Sequence, residues 1–266
     1  MRPTLSAIHV YPIKSCAPLT LAEATVEARG LAGDRRWMVV DATAKFVTGR
    51  RQPRLTLIRA LPDDEGLALT APGMPPLRLA PPHAETRIET TVWKSAVHAL
   101  PATAQADAWI SAYLGQPVRF VFMDADCVRA VDAAYGVVGD EVSFADGFPL
   151  LLISQAAPDA LNARLAQPVP MLRFRPSIVV ANTVPHAEDD WKRVRIGTVE
   201  FDVVKPCGRC AFTTVDFKRG QFDPSGEPLR TLLTYRRTSK GVMFGQNLIP
   251  RGRGVLRVGD SVEVVK

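Results

Sequence analysis

The sequence predicts a mainly β fold with a few helices, an α+β chain built from β-barrels in two domains. Three observations predict it. Short runs of strand character recur at close spacing, separated by Pro, Gly and Asp turn signals. Only three stretches carry helical character. The length, 266 residues of which 47% are apolar, suits two domains better than one.

The elements follow in order. Residues 4–13 read as a strand with Ile8 and Val10 on one face and Pro12 ending it. A turn at residues 30–36 leads into the apolar run 37–41, a short buried strand. Residues 55–58, 67–70, 77–79, 86–92 and 96–99 read as further strands. The first helix shows Ala106, Trp109, Ile110, Tyr113 and Leu114 on one face, and Gly115 and Pro117 end it. Residues 118–123 return to strand, and the boundary is set there, giving domains 1–118 and 119–266. Residues 124–147 read as a long loop. Residues 149–153 form a buried strand; Ser154 is expected to cap the following helix, with Ala157, Leu161 and Leu165 inward. The strand 178–180 follows, then a hairpin of 194–196 and 199–204 around Gly197-Thr198. A short helix spans 227–236. The strands 255–258 and 261–265 are expected to pair through a turn at Gly259-Asp260.

Composition narrows the function classes. The sequence contains no run of 18 apolar residues, so no transmembrane helix is expected. The N-terminus lacks an apolar signal core and reads as the start of the fold. Four cysteines, at 16, 127, 207 and 210, are too few and scattered for a disulfide scaffold, and a reducing cytoplasmic setting is expected. The formal charge is +6. Between Lys205 and Arg257 eleven Lys/Arg face three Asp/Glu, a local +8 that leaves −2 for the remainder. Such a surplus suits a nucleic-acid or membrane patch, a pocket for a phosphorylated small molecule, an acidic partner, or a solvated face. Against nucleic acid, aromatics make up only 7% of the chain and interleave little with the basic stretch.

Two stretches carry chemistry. Tyr11-Pro12-Ile13-Lys14-Ser15-Cys16 places an ammonium and a hydroxyl at a strand exit, where they can meet an anion or form an ordinary loop. Cys207-Gly208-Arg209-Cys210 admits three readings. Half a zinc site lacks a second pair, and the four histidines are isolated. A dithiol redox pair usually opens a helix, whereas this one lies between strands. One thiolate on a soft metal fits the neighbouring arginine and the basic surround, which favour a thiolate and an anionic cofactor.

The run resembles the MOSC family (molybdenum cofactor sulfurase C-terminal domain), most closely the two-domain subgroup containing bacterial YcbX and the mitochondrial amidoxime reducing component. Tyr11-Pro12-Ile13-Lys14-Ser15-Cys16 and Gly33-Asp34-Arg35-Arg36-Trp37 match the family's preceding β-barrel domain. Phe174-Arg175-Pro176, Cys207-Gly208-Arg209-Cys210 with Thr213-Thr214-Val215-Asp216, and Phe244-Gly245-Gln246-Asn247 match MOSC proper. The resemblance implies an N-terminal MOSC β-barrel domain followed by a MOSC β-barrel. It implies a molybdenum cofactor, Mo-molybdopterin, with Cys210 as protein ligand and catalytic residue. Lys14, Ser15 and Arg35 from the first domain would hold the cofactor, with Arg175, Gly208, Arg209 and Asn247 from the second. Asp146, Gly147 and Phe148 would approach it, mainly through backbone. Ser177 stands where the family often has Asn and is left out. Some YcbX-type members carry a C-terminal iron–sulfur domain; none is expected here, so electrons would come from a separate ferredoxin, flavoprotein or cytochrome. The implied activity is reduction of hydroxylamines, amidoximes and N-hydroxylated bases, with neither nucleic acid nor membrane as partner. The alternative is a carrier of cofactor or persulfide sulfur on Cys210.

Overall fold

A computed structural model describes residues 2–83 and 86–265, and they are mostly strand with three α-helices. The largest sheet runs Leu19–Leu21, Thr4–Val10, Ile178–Ala181, Leu150–Ser154, Gly241–Pro250, Val199–Gly208, Arg193–Ile196 and Val262–Val265, with Arg237–Thr238 paired at the side. A bridge between Thr4 and Ser261 returns the last strand to the first. Hydrogen bonds from Leu5 N to Asp260 O (2.8 Å) and Val262 N to Pro3 O (2.9 Å) complete that closure. Closure removes the unpaired edges that an open sheet would expose. Its interior holds Ile8, Leu152, Ile178, Val194, Phe201 and Leu248, all fully buried.

The N-terminal half builds a second core. The strands Trp37–Asp41, Val118–Phe122, Ser95–Pro101 and Ile88–Val92 form one sheet, and Arg59–Asp63, Gly66–Thr70 and Leu77–Leu79 form a meander. The helix Ala104–Leu114 packs Trp109, Ile110 and Tyr113 into this core. Thr103 caps it by accepting from Ala106 N, and Gly115 ends it in the left-handed conformation. Residues 4–31 cross between halves: their strands pair into the sheets of the C-terminal half, and Leu5, Val10, Val26 and Leu31 fill its core. The exit of the first strand, where Lys14 sits, therefore lies at the junction of the two cores. No helix among the described residues is long and apolar enough to cross a membrane.

Three local expectations are corrected. Residues 55–58 are not a strand; Pro53–Leu57 is a 3₁₀ helix, opened by Pro53 and tied by Thr56 Oγ1 to Pro53 O at 2.7 Å. A run of four apolar residues fits one buried turn as well as a strand, and the proline tips the choice. Ser154 does not cap the helix Ala156–Asn162. Its Oγ accepts from His186 N (3.3 Å), and its own N–H donates to Glu188 Oε1 (3.1 Å). Gly254–Arg257 and Val262–Val265 do not pair with each other: the first joins Glu23–Glu27, the second Arg193–Ile196. The turn between them is real, with Gly259 at φ +100° and Asp260 accepting from Arg257 N, but it delivers the chain from one sheet to another.

Candidate functional site

Val199–Gly208 carries two register shifts against Gly241–Pro250, one between Val203 and Lys205 and one between Pro206 and Gly208. Pro206 cannot donate to the ladder, and bulges re-aim the end of a strand. The chain leaves at Gly208 and turns into the 3₁₀ helix Ala211–Thr214. Cys210 sits at this turn in extended backbone with its side chain exposed. Its carbonyl accepts from Thr213 N (3.1 Å) and Thr213 Oγ1 (2.9 Å), so the backbone is fixed while the sulfur stays open.

Cys210 opens into a cavity between the halves. Every residue expected at the site lines it: Lys14, Ser15 and Arg35; Asp146, Gly147 and Phe148; Arg175; Gly208, Arg209 and Cys210; and Asn247. They come from separate stretches of chain, up to 233 residues apart (Lys14 to Asn247). Cys207 is half-buried against the cluster of Leu151 and Phe244 and also reaches the wall. Burial pushes its thiol up, whereas Cys210 is the exposed sulfur.

One wall is organised around Tyr11. Its ring is fully buried, and the Arg35 and Arg175 guanidinium carbons lie 4.4 and 4.0 Å from its centroid. The buried Asp34 carboxylate accepts from Tyr11 N (2.8 Å) and Arg35 Nη1 (2.5 Å). Arg175 donates Nη1 to Cys16 O (2.9 Å), while its Nη2 is buried without a partner. Burial lowers Arg175 to about 10, and the neighbouring Arg35 charge works in the same direction. Asp34 pairs with Arg35, and Arg175 has no carboxylate partner among the described residues, which leaves positive charge in a poorly solvated place. Ser15 presents a hydroxyl already accepting from Gly49 N (3.0 Å), with its hydrogen left to donate.

The floor is the loop 143–148. Lys14 is buried and donates to Phe144 O (2.7 Å) and to Asp146 Oδ1 (2.6 Å). Burial lowers the Lys14 ammonium, and Asp146 opposes that shift. Desolvation raises the Asp146 carboxyl, but the Lys14 charge and hydrogen bond, with Trp93, override it and hold it below the usual carboxylate range. Sequence reading gave residues 124–147 no internal order and missed Arg129. This buried side chain donates to Ser143 O (2.8 Å), Ala145 O (2.5 Å) and Asp146 O (2.8 Å), clamping the loop under the cavity. Thr48, Arg50, Trp93 and Phe212 also line the cavity and were not foreseen. The arginine run at 50, 51 and 54 was a usable signal; the placement of Trp93 was not.

Arg209 and Arg173 behave differently. Arg209 gives Nε and Nη2 to Phe244 O (2.8 and 2.6 Å) and Nη1 to Phe174 O (2.9 Å). Arg173 is held by Thr214 O, Glu227 O and Asp223. Asn247 donates to Lys205 O (3.0 Å), which leaves its oxygen as an acceptor. Ser177 is buried, its Oγ accepting from Leu151 N (3.3 Å). The backbone carries strain at the same place. Of the seven described non-glycine residues at positive φ, four line the cavity: Ser15, Arg35, Trp93 and Arg175. Such conformations gather where the surroundings impose a geometry for function.

Residues 2–117 match the MOSC N-terminal beta barrel domain, and residues 139–263 match the MOSC domain. The mitochondrial amidoxime-reducing component 1 of Xenopus laevis is 33% identical over 278 residues, covering 97% of this chain and 81% of its own length. The chain belongs to the MOSC family. The human mitochondrial amidoxime-reducing component 1 is 34% identical, over 97% of this chain and 82% of its own. A molybdenum cofactor sulfurase of Oryza sativa subsp. japonica is 29% identical over 91% of this chain but only 32% of its own length.

The residues present fit an anionic pterin cofactor. The cationic wall leaves Arg175 Nη2 unpartnered, which a phosphate or oxo oxygen would satisfy. A Cβ at Gly147 would meet nothing within 4 Å, and one at Gly208 only Met243 Sδ at 4.0 Å, so these glycines leave room in the cavity. Among the described residues no group of three or more His, Cys, Asp or Glu could hold a metal unaided. The exposed sulfur of Cys210 is the donor these residues would offer to a metal whose other ligands came from a cofactor.

Proposed function

We propose that this MOSC protein is a molybdenum-cofactor-dependent oxidoreductase that reduces N-hydroxylated compounds. What carries the reading is that eleven positions from both halves converge on one cavity whose single exposed sulfur is Cys210. The names of the amidoxime-reducing relatives supply the substrate class. Cys210 would be the protein ligand. Arg175, Arg35, Lys14 and Ser15 would hold the anionic groups of the cofactor, with Gly147 and Gly208 giving it room. Arg209 and Asn247 would shape the wall, Arg209 mainly through the carbonyls it already binds. When bound, the group supplies two-electron oxygen-atom transfer chemistry. The net reaction takes an amidoxime, two electrons and two protons to the amidine and water. The electrons would come from a separate redox protein in the cytoplasm. The division at residue 118 belongs to the same proposal.

Expression in a host that makes molybdopterin, followed by metal analysis, is the test. We expect stoichiometric molybdenum in the wild type, its loss in Cys210→Ser, and conversion of benzamidoxime to benzamidine with an artificial donor. Absence of molybdenum, or its full retention in Cys210→Ser, overturns the ligand assignment. Molybdenum without benzamidine overturns the substrate class. The sulfurase relative and the exposure of Cys210 keep a second reading in play, a carrier of sulfur or cofactor. A persulfide mass shift on Cys210 in molybdenum-free protein would select it.

A further inference from the structure

A groove lies beside the cavity and shares Thr48, Arg50 and Trp93 with it. It is completed by Lys45, Phe46, Arg51 and Thr91. The segment that builds it is anchored: Lys45 bridges to Thr91, and Thr90 Oγ1 donates to Ala44 O (2.6 Å). Trp93 stands at the seam. It is 48% exposed, large for an indole on a free surface, and is held at φ +56°. Phe46 meets it edge-on at 5.2 Å, and the Arg50 guanidinium lies 4.7 Å from its centroid. Its Nε1 donates to Asp146 Oδ1 (3.3 Å), which ties the groove to the cavity floor. Lys45, Arg50 and Arg51 form no ion pair among the described residues.

We propose that this groove is a substrate subsite, taking the part of the substrate remote from the N–OH group, and that it selects a planar aromatic tail bearing an anionic substituent. The inference rests on the proposed reductase activity and names the substrate class of that site. Two aromatic side chains offer π surface for a flat ring, and cations without carboxylate partners offer charge to a carboxylate or phosphate. An alkyl tail would gain neither. Arg50 joins the functions, since it reaches both the ring of Trp93 and the cavity.

The test compares three substrates on the loaded enzyme: acetamidoxime, benzamidoxime and 4-carboxybenzamidoxime. The wild type is expected to prefer the carboxylated ring over benzamidoxime by about tenfold in kcat/KM, the value of one charge-assisted hydrogen bond. The Lys45→Gln/Arg51→Gln double variant should bring that ratio close to one. Trp93→Ala should lower the ratio of benzamidoxime to acetamidoxime by about tenfold, the loss of one aromatic contact. Ratios cancel differences in cofactor loading. Unchanged ratios in both variants overturn the proposal. If no amidoxime is reduced, the proposed activity fails, and the groove is judged by calorimetric titration with the same compounds. There, tighter binding of 4-carboxybenzamidoxime, lost in Lys45→Gln/Arg51→Gln, sustains the subsite, and equal affinities overturn it.

Discussion

The two arginine-bearing walls of the cavity differ in what their guanidiniums already do. Around Tyr11, the Arg35 and Arg175 side chains make one hydrogen bond each, to a carboxylate and a carbonyl, and Arg175 Nη2 stays buried and unpartnered. Beside the cysteines, Arg209 has three bonds to the carbonyls of Phe174 and Phe244, and under the floor Arg129 has three to Ser143, Ala145 and Asp146. The first pair holds donors in reserve; Arg209 is a strut, and Arg129 is one too, with only its buried Nε left unpartnered. Position on a cavity wall therefore does not identify an anion-binding arginine, whereas the state of its hydrogen bonds does.

The comparison breaks most sharply at Arg209. Arg209→Gln removes three charge-assisted bonds and leaves two carbonyls short, which should cost about 3 kcal/mol of stability in the cofactor-free protein. Denaturant unfolding measures it, and a loss below the error of the method would mean that Arg209 is not a strut. Arg129→Gln should cost about 2 kcal/mol by the same reasoning. Its signature is local: faster hydrogen exchange at the amides of 144–147 than elsewhere, because the clamp on that loop is gone. Arg175→Gln should do the reverse. It removes a buried charge with an unmet donor, so cofactor-free stability should hold or rise, while pterin retained on purification falls about tenfold. Equal effects of Arg175→Gln and Arg209→Gln on both readouts would erase the distinction between walls.

Much of this was legible in the sequence, and the reasons are physical. Lys14, Ser15 and Arg35 were named by the resemblance of their short motifs to the family, while the residues themselves marked only a strand exit and a turn; the cysteine tetrapeptide stood out by its scarcity. Turn geometry is a local property, so local sequence carries it. The helix Ala104–Leu114 was legible for the same reason, through its period and cap. What escaped depends on partners far along the chain. The first strand pairs with residues 170 or more positions away, Arg129 clamps a loop with no period of its own, and Trp93 meets the cavity floor through a hydrogen bond to Asp146, 53 positions on. The misread hairpin at Gly259 shows the limit most plainly: the turn is encoded locally, but which strand each arm joins is decided by the closing of the barrel.

A smaller effect sharpens the same contrast at a third place, behind Phe244. Glu188 is fully buried; its Oε1 accepts from Ser154 N, and its Oε2 has no partner. The His186 ring lies nearby against Phe244 and Tyr235, with both nitrogens unpartnered and its pKa lowered, first by burial and then by Arg236. Burial raises the Glu188 carboxyl above its ordinary value, so the folded state keeps this proton to higher pH than the unfolded chain does. Where the folded state binds more protons, stability falls as pH rises. Glu188 should therefore cost nothing below the unfolded carboxyl range, and its penalty should grow as pH climbs from there through the raised folded value. Glu188→Gln keeps an oxygen for Ser154 N and abolishes the ionisation. Its stability relative to wild type should improve between pH 4 and pH 8, on denaturant curves taken at each pH. If the gap between variant and wild type is independent of pH, the carboxylate has found a partner behind Phe244, and the buried unpaired oxygen belongs only to the cavity-wall class of unmet groups.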